Sequence, residues 1–267
     1  MRRIFGYISL AFIFFILISV WTLKIDNSLG YSEFVSGGAL FFIISFLFLF
    51  NIRKRLPFLP LWPAHKWFLL HTIMGFLALL LFWLHAGSLW PKGLYVQILA
   101  SLFYLTTLSG IVGLIMEKIY PNLLTRIGHE CIYERIPHDI AKIRKKSEKL
   151  ILECTEKTGS DTLAKHYLET LGWFFQRPRF FINNIFGGRD SHNWIIQQCA
   201  ILERFLNEAE REYMKQIFTL AEIKIKIDHH YSLQTMLKNW LLIHIPLAAA
   251  AMVMAVWHLI VIQVYFN

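Results

Sequence analysis

Apolar residues fill four long stretches in the first half of the chain, at approximately 4–23, 37–52, 67–86 and 94–116, and a fifth at 239–265. About 20 apolar residues in a helix cross the roughly 30 Å of hydrocarbon in a bilayer, so the pattern predicts five transmembrane helices. Between the fourth and fifth stretches, positions 118–237 read differently, with apolar residues recurring near helical spacing among many charges. Pro137 is placed to open a helix running toward Lys157, Gly159 to stop it, and Ser160 or Asp161 to cap the next. Gly187-Gly188 interrupts the chain, and Asp190 or Ser191 can cap the run "HNWIIQQCAILERFLNEAEREYMKQIFTLAEIKIKI", which leads almost directly into the last span. The expected fold is all-α: an integral membrane bundle of five transmembrane helices with a helical cytoplasmic insertion between helices 4 and 5. Its expected parts are 1–117 (helices 1–4), 118–237 (the insertion) and 238–267 (helix 5, completing the bundle).

Composition agrees with that class, since 56% of the 267 residues are hydrophobic and only 17% charged. The run after Met1-Arg2-Arg3 reads as a retained anchor, because its apolar core is about twice the usual signal-peptide length and no small-residue cleavage site follows. With the N-terminus in the cytoplasm, the outer segments 24–36 and 87–93 hold only Lys24 and Lys92. The other 25 of the 27 basic residues, including Arg53-Lys54-Arg55, fall inside. That asymmetry accounts for much of the +9 charge without a nucleic-acid partner, and it puts the C-terminus outside, with a bacterial cytoplasmic membrane as the expected location.

Cys131, Cys154 and Cys199 all fall in the inner segment, with no CxxC or CxxCH, so neither covalent haem nor cysteine-ligated iron–sulfur clusters are supported. No GxGxxG or Walker A pattern indicates nucleotide or flavin. "KIRKKSEKL" at 142–150 reads as a solvated or headgroup-facing basic surface. His129, His138, His166, His192, His229 and His230 show no metal-ligand spacing, although "GHEC" at 128–131 is suggestive.

Four further histidines stand inside the spans. "HTIMGFLALLLFWLH" at 71–85 and "HIPLAAAAMVMAVWH" at 244–258 have the same length and the same two ends. Fourteen residues at about 100° each come within about 40° of four turns and rise about 21 Å, so each pair shares one helix face. Helices 3 and 5 run in the same direction in the expected topology, which brings His71 level with His244 and His85 level with His258. An ionisable side chain in hydrocarbon is costly and marks a functional site by default. Two facing imidazole pairs suit haem iron, which accepts one axial ligand from each side of the porphyrin, a plate that a helix bundle can sandwich. Gly75, one turn beyond His71, Ala248 to Ala251, and Ser109, Gly110 and Gly113 are small residues that permit close packing. Zinc is disfavoured, because its structural sites want four converging ligands and the spans offer no acid or cysteine to complete a pair.

On these four histidines and this topology the chain resembles the membrane-integral di-haem cytochromes b. The equal spacing is similar to that in the cytochrome b subunit of quinol:cytochrome c reductases, and the use of helices 3 and 5 is similar to the transmembrane domain of ferric reductases and NADPH oxidases. No PEWY segment and no flavin or nucleotide domain accompany the likeness. The resemblance implies two non-covalent b-type haems, ligated by His71 with His244 and His85 with His258. It further implies electron transfer across the membrane, with quinone or quinol as partner and other redox subunits of a respiratory oxidoreductase complex alongside. Tyr133, Glu134, Arg135 and His138 in "YERIPHDI" are then candidate quinone ligands, against a capping turn before a helix. Lys66, Lys92 and Lys238 are candidates to pair with haem propionates, against ordinary interfacial anchoring. The alternatives are a stand-alone transmembrane reductase serving an external acceptor such as ferric iron, and a haem-free proton pathway or scaffold.

Overall fold

The computed structural model describes residues 2–28, 31–50, 63–128 and 130–266, with side chains from Phe5 to Tyr265. Arg53-Lys54-Arg55 and His129, and positions 51 and 52 of the expected second span, lie outside the described residues. Every regular element among the described residues is helical: α1 (Arg2–Asn27), α2 (Ser32–Leu49), α3 (Ala64–Ala86), α4 (Leu94–Ile127), α5 (Ile136–Thr158), α6 (Thr162–His166), α7 (Gly172–Gln176), α8 (Phe181–Ile185), α9 (Asp190–Glu203) and α10 (Glu208–Phe266). A 3₁₀ turn at Tyr133–Arg135 precedes α5, and a π-helical turn at Tyr167–Leu171 joins α6 to α7. Five of the helices, α1 to α4 and α10, are long and apolar enough to cross a membrane.

The chain divides into two compact units, Met1–Leu114 with Trp240–Asn267, and Ile115–Asn239. In the first, α1, α2 and α3 pack together around Ile18, Leu40, Ile43, Leu77, Leu81 and Phe82, and the Phe82 ring stacks on Phe103 of α4 at 4.5 Å. The outward side chains of this unit are equally apolar, among them Leu10, Leu17, Phe42, Leu242 and Val253. An apolar exterior of this extent is a liability in water and suits a hydrocarbon solvent.

Helix boundaries depart from the apolar runs in three places. α2 begins at Ser32 rather than 37, because Ser36 returns its hydroxyl to the carbonyls of Ser32 and Glu33 and so belongs to the helix despite its polarity. α4 continues past 116 to Ile127 with Pro121 inside it, and the last apolar stretch is the end of a 59-residue helix that contains Pro246. The run expected from Asp190 onward is broken at 204–207. Asn207 and Glu210 cause the break through a reciprocal capping box: the Glu210 amide donates to Asn207 Oδ1 (2.8 Å), and the Asn207 amide donates to Glu210 Oε2 (2.9 Å).

The second unit has a core of the kind found in water-soluble domains. α5 buries Ile136, Ile140, Ile143, Ser147, Ile151 and Cys154, an i, i+3/i+4 stripe, and exposes its lysines. Its start and end use the expected punctuation, with Pro137 in the first turn and Gly159 in the left-handed conformation at φ +67°. Phe174, Phe175, Ile195 and Ile217 complete the interior. Fully buried among them, Lys224 Nζ binds Asp228 Oδ2 and donates to the Arg177 carbonyl (3.0 Å), lying over the Phe174 ring at 4.0 Å. Burial pushes the Asp228 carboxyl up to about 6 and the Lys224 ammonium down to about 8, each against the pull of its partner.

Removing one member of such a pair leaves an uncompensated buried charge. Lys224→Met or Asp228→Leu alone should therefore cost about 3–5 kcal/mol, and the double substitution distinctly less than the sum. Thermal unfolding of the full chain in detergent, followed across the four proteins of this cycle, measures the coupling; additive losses would show that the two charges do not depend on each other.

Candidate functional site

The first unit gathers all four span histidines. His71 and His85 come from α3 and His244 and His258 from α10, every one half-buried. The rings of His85 and His258 lie 6.4 Å apart, centre to centre, with their planes at 79°. Two imidazoles on opposite sides of one metal ion, each with a nitrogen about 2 Å from it, put their ring centres about 6 Å apart. His71 and His244 both line an apolar cavity of about 310 Å³. This volume is at the lower end of the roughly 300–1,000 Å³ typical of small-molecule pockets.

Small residues make that cavity. Gly75, Gly110 and Ala248 contribute to its wall, and a Cβ at Gly75 would meet nothing within 4 Å, so Gly75 borders open space rather than a packed neighbour. Gly113 has a different role: a Cβ there would come within 2.0 Å of the Trp240 ring, so its absence admits the indole. Trp240 in turn stacks on His244 at 5.2 Å and donates Nε1–H to the Ser109 carbonyl (2.8 Å).

The outer nitrogens of the four rings are held unequally. Ser36 Oγ lies 3.2 Å from His85 Nδ1, and Ser109 Oγ 3.1 Å from His244 Nδ1. The Nδ1 atoms of His71 and His258 are buried without a hydrogen-bond partner. Tyr95 stacks on His258 at 6.0 Å and Phe50 lies against His71 at 4.7 Å. The His85 ring also lies within hydrogen-bonding reach of the Glu33 backbone carbonyl. Paired imidazoles in apolar surroundings have the donor chemistry to hold a metal-bearing apolar group. Ser36, Ser109, Trp240 and the clearance at Gly37, where a Cβ would stand 2.7 Å from the His85 ring, are not marked by any sequence spacing.

The remaining site candidates fall elsewhere. Lys66 is half-buried in the first turn of α3, and Lys92 is exposed in the segment after it. Lys238 belongs to the second unit, where it binds Glu134 Oε1 (2.8 Å) and lies over the Tyr133 ring at 3.6 Å. Tyr133 Oη also contacts Thr235 Oγ1 (3.1 Å), so Tyr133, Glu134 and Lys238 form one internally satisfied cluster, while Arg135 and His138 are exposed. Among the described residues no group of three or more His, Cys, Asp or Glu is placed to hold a metal ion. Burial, with Glu203 nearby, pushes the Cys199 thiol up to about 11, which leaves it unreactive near neutral pH. No protein-family model, curated protein or solved structure matches the chain.

The two glycines should separate on substitution. Gly113→Ala forces the Trp240 ring to move and should cost about 1–3 kcal/mol. Gly75→Ala meets open space and should leave stability unchanged or raise it by about 0.5–1 kcal/mol. Melting temperatures of the two variants beside the parent protein give the comparison.

Proposed function

We propose that this chain is a membrane-integral, di-haem b-type cytochrome that carries electrons across the bilayer, with a quinone as the lipid-soluble exchange partner at one face. The observation that supports it best is the 6.4 Å separation of the His85 and His258 rings inside an apolar helical unit, close enough for the two imidazoles to hold one metal-bearing group between them. The apolar cavity of about 310 Å³ that His71 and His244 both line supports a second site. Haem would supply a one-electron carrier at each of the two levels.

In this reading His71, His85, His244 and His258 would hold the haem iron through their imidazoles, and the apolar walls would limit access of water. Gly75, Gly110 and Ala248 leave room beside the inner pair, and Trp240 fixes the rotation of His244 by stacking on it. The spacing of 14 residues along α3 and along α10 sets the two sites about 21 Å apart in rise, one near each side of the hydrocarbon.

A reduced-minus-oxidised spectrum with acid extraction of the purified chain should give two b-type haems per chain and a low-spin signature. His71→Ala should lower the yield to one while the His85–His258 site keeps its haem, and Gly75→Leu, which fills the cavity while leaving all four histidines in place, should do the same. Well-folded protein made with ample haem and containing none would overturn the reading. Loss of the same single haem from both His71→Ala and His258→Ala would overturn the pairing.

A further inference from the structure

Ser36 is on α2, a helix that contributes no histidine, yet it is 1% exposed and reaches His85 across the helix interface. Its oxygen has three contacts: the carbonyls of Ser32 (3.4 Å) and Glu33 (3.3 Å), and His85 Nδ1 (3.2 Å). A serine hydroxyl has one proton and two lone pairs, and a carbonyl can only accept. All three contacts are satisfied together only if the hydroxyl proton is shared between the two carbonyls and the oxygen accepts from His85 Nδ1–H. That arrangement leaves the Nε2 lone pair free. Gly37 makes the approach possible, because a Cβ there would collide with the same ring at 2.7 Å.

We infer that Ser36 is a positioning residue for the His85–His258 site, fixing the His85 ring in the tautomer whose Nε2 is open to a metal. The inference rests on the proposed haem ligation. A ligating imidazole that donates its other N–H is held in orientation and made more basic, and such outer contacts are typically worth about 10–100-fold in metal affinity. His258, whose Nδ1 is buried and unpartnered, has no equivalent, so His85 is the better-fixed ligand of this pair. A more basic ligand favours the ferric state, so loss of the contact should raise the reduction potential of this haem alone.

The test compares the full-length parent protein with Ser36→Ala and Ser36→Thr in the same detergent, with the His71–His244 haem as internal control. Haem retention during dilution, redox titration and low-temperature electron paramagnetic resonance are measured on all three. Ser36→Ala should release the haem ligated by His85 and His258 about 10–100-fold more readily, move its potential upward and alter its low-spin signal, with the other haem unchanged; Ser36→Thr, which keeps the hydroxyl, should restore all three. Two haems in the parent, with retention, potential and signal unchanged in Ser36→Ala, would overturn the role of Ser36 while leaving the haem reading intact. A parent protein without haem would overturn both.

Discussion

A polar group inside an apolar helical bundle finds few partners, and that single constraint governs the first unit. Backbone amides answer it by forming helices, serine and threonine hydroxyls by bonding back to carbonyls four residues earlier, as Ser19, Thr72, Thr106 and Thr107 do. The imidazoles of His71, His85, His244 and His258 cannot answer it within their own helices. His85 and His244 meet serines of other helices, and small residues open space beside His71 and His244. The cavity beside His71 and His244 and the contact between Ser36 and His85 are both consequences of that constraint.

The second unit is built on a different pattern. Its helix α5 has one buried stripe and one charged face, its core is aromatic and aliphatic, and the fully buried Lys224–Asp228 pair is wrapped by backbone carbonyl and amide groups from the segment around Arg177 and Arg179. Lys238, Glu134 and Tyr133 contact one another there and form a cluster within this unit.

Much of this was legible from residue order, and the limits have physical reasons. Helical class, the apolar runs and the punctuation of α5 by Pro137 and Gly159 depend on neighbours within a turn or two, and a single sequence displays such neighbours directly. The break at 204–207 was legible in principle, because Asn207 followed three residues later by Glu210 is a capping-box signature; the apolar periodicity running through it masked the signal. Ser36 and Ser109 were not legible as partners of His85 and His244. Those contacts join residues 49 and 135 positions apart, and no local pattern distinguishes a serine that meets an imidazole from one that bonds only to its own helix. Gly75 and Gly113 looked alike as small packing residues, yet one borders empty space and the other is filled by an indole.

The pairing of Gly113 with Trp240 also constrains the history of the chain. The indole occupies the volume that a side chain at 113 would need, so neither position is free to drift alone. A lineage could enlarge residue 113 only after residue 240 had become smaller, and by then the stacking on His244 and the bond to the Ser109 carbonyl would already be gone. Among descendants of a common ancestor these two sites should therefore change together or not at all, leaving a correlated trace between helices that are distant in sequence.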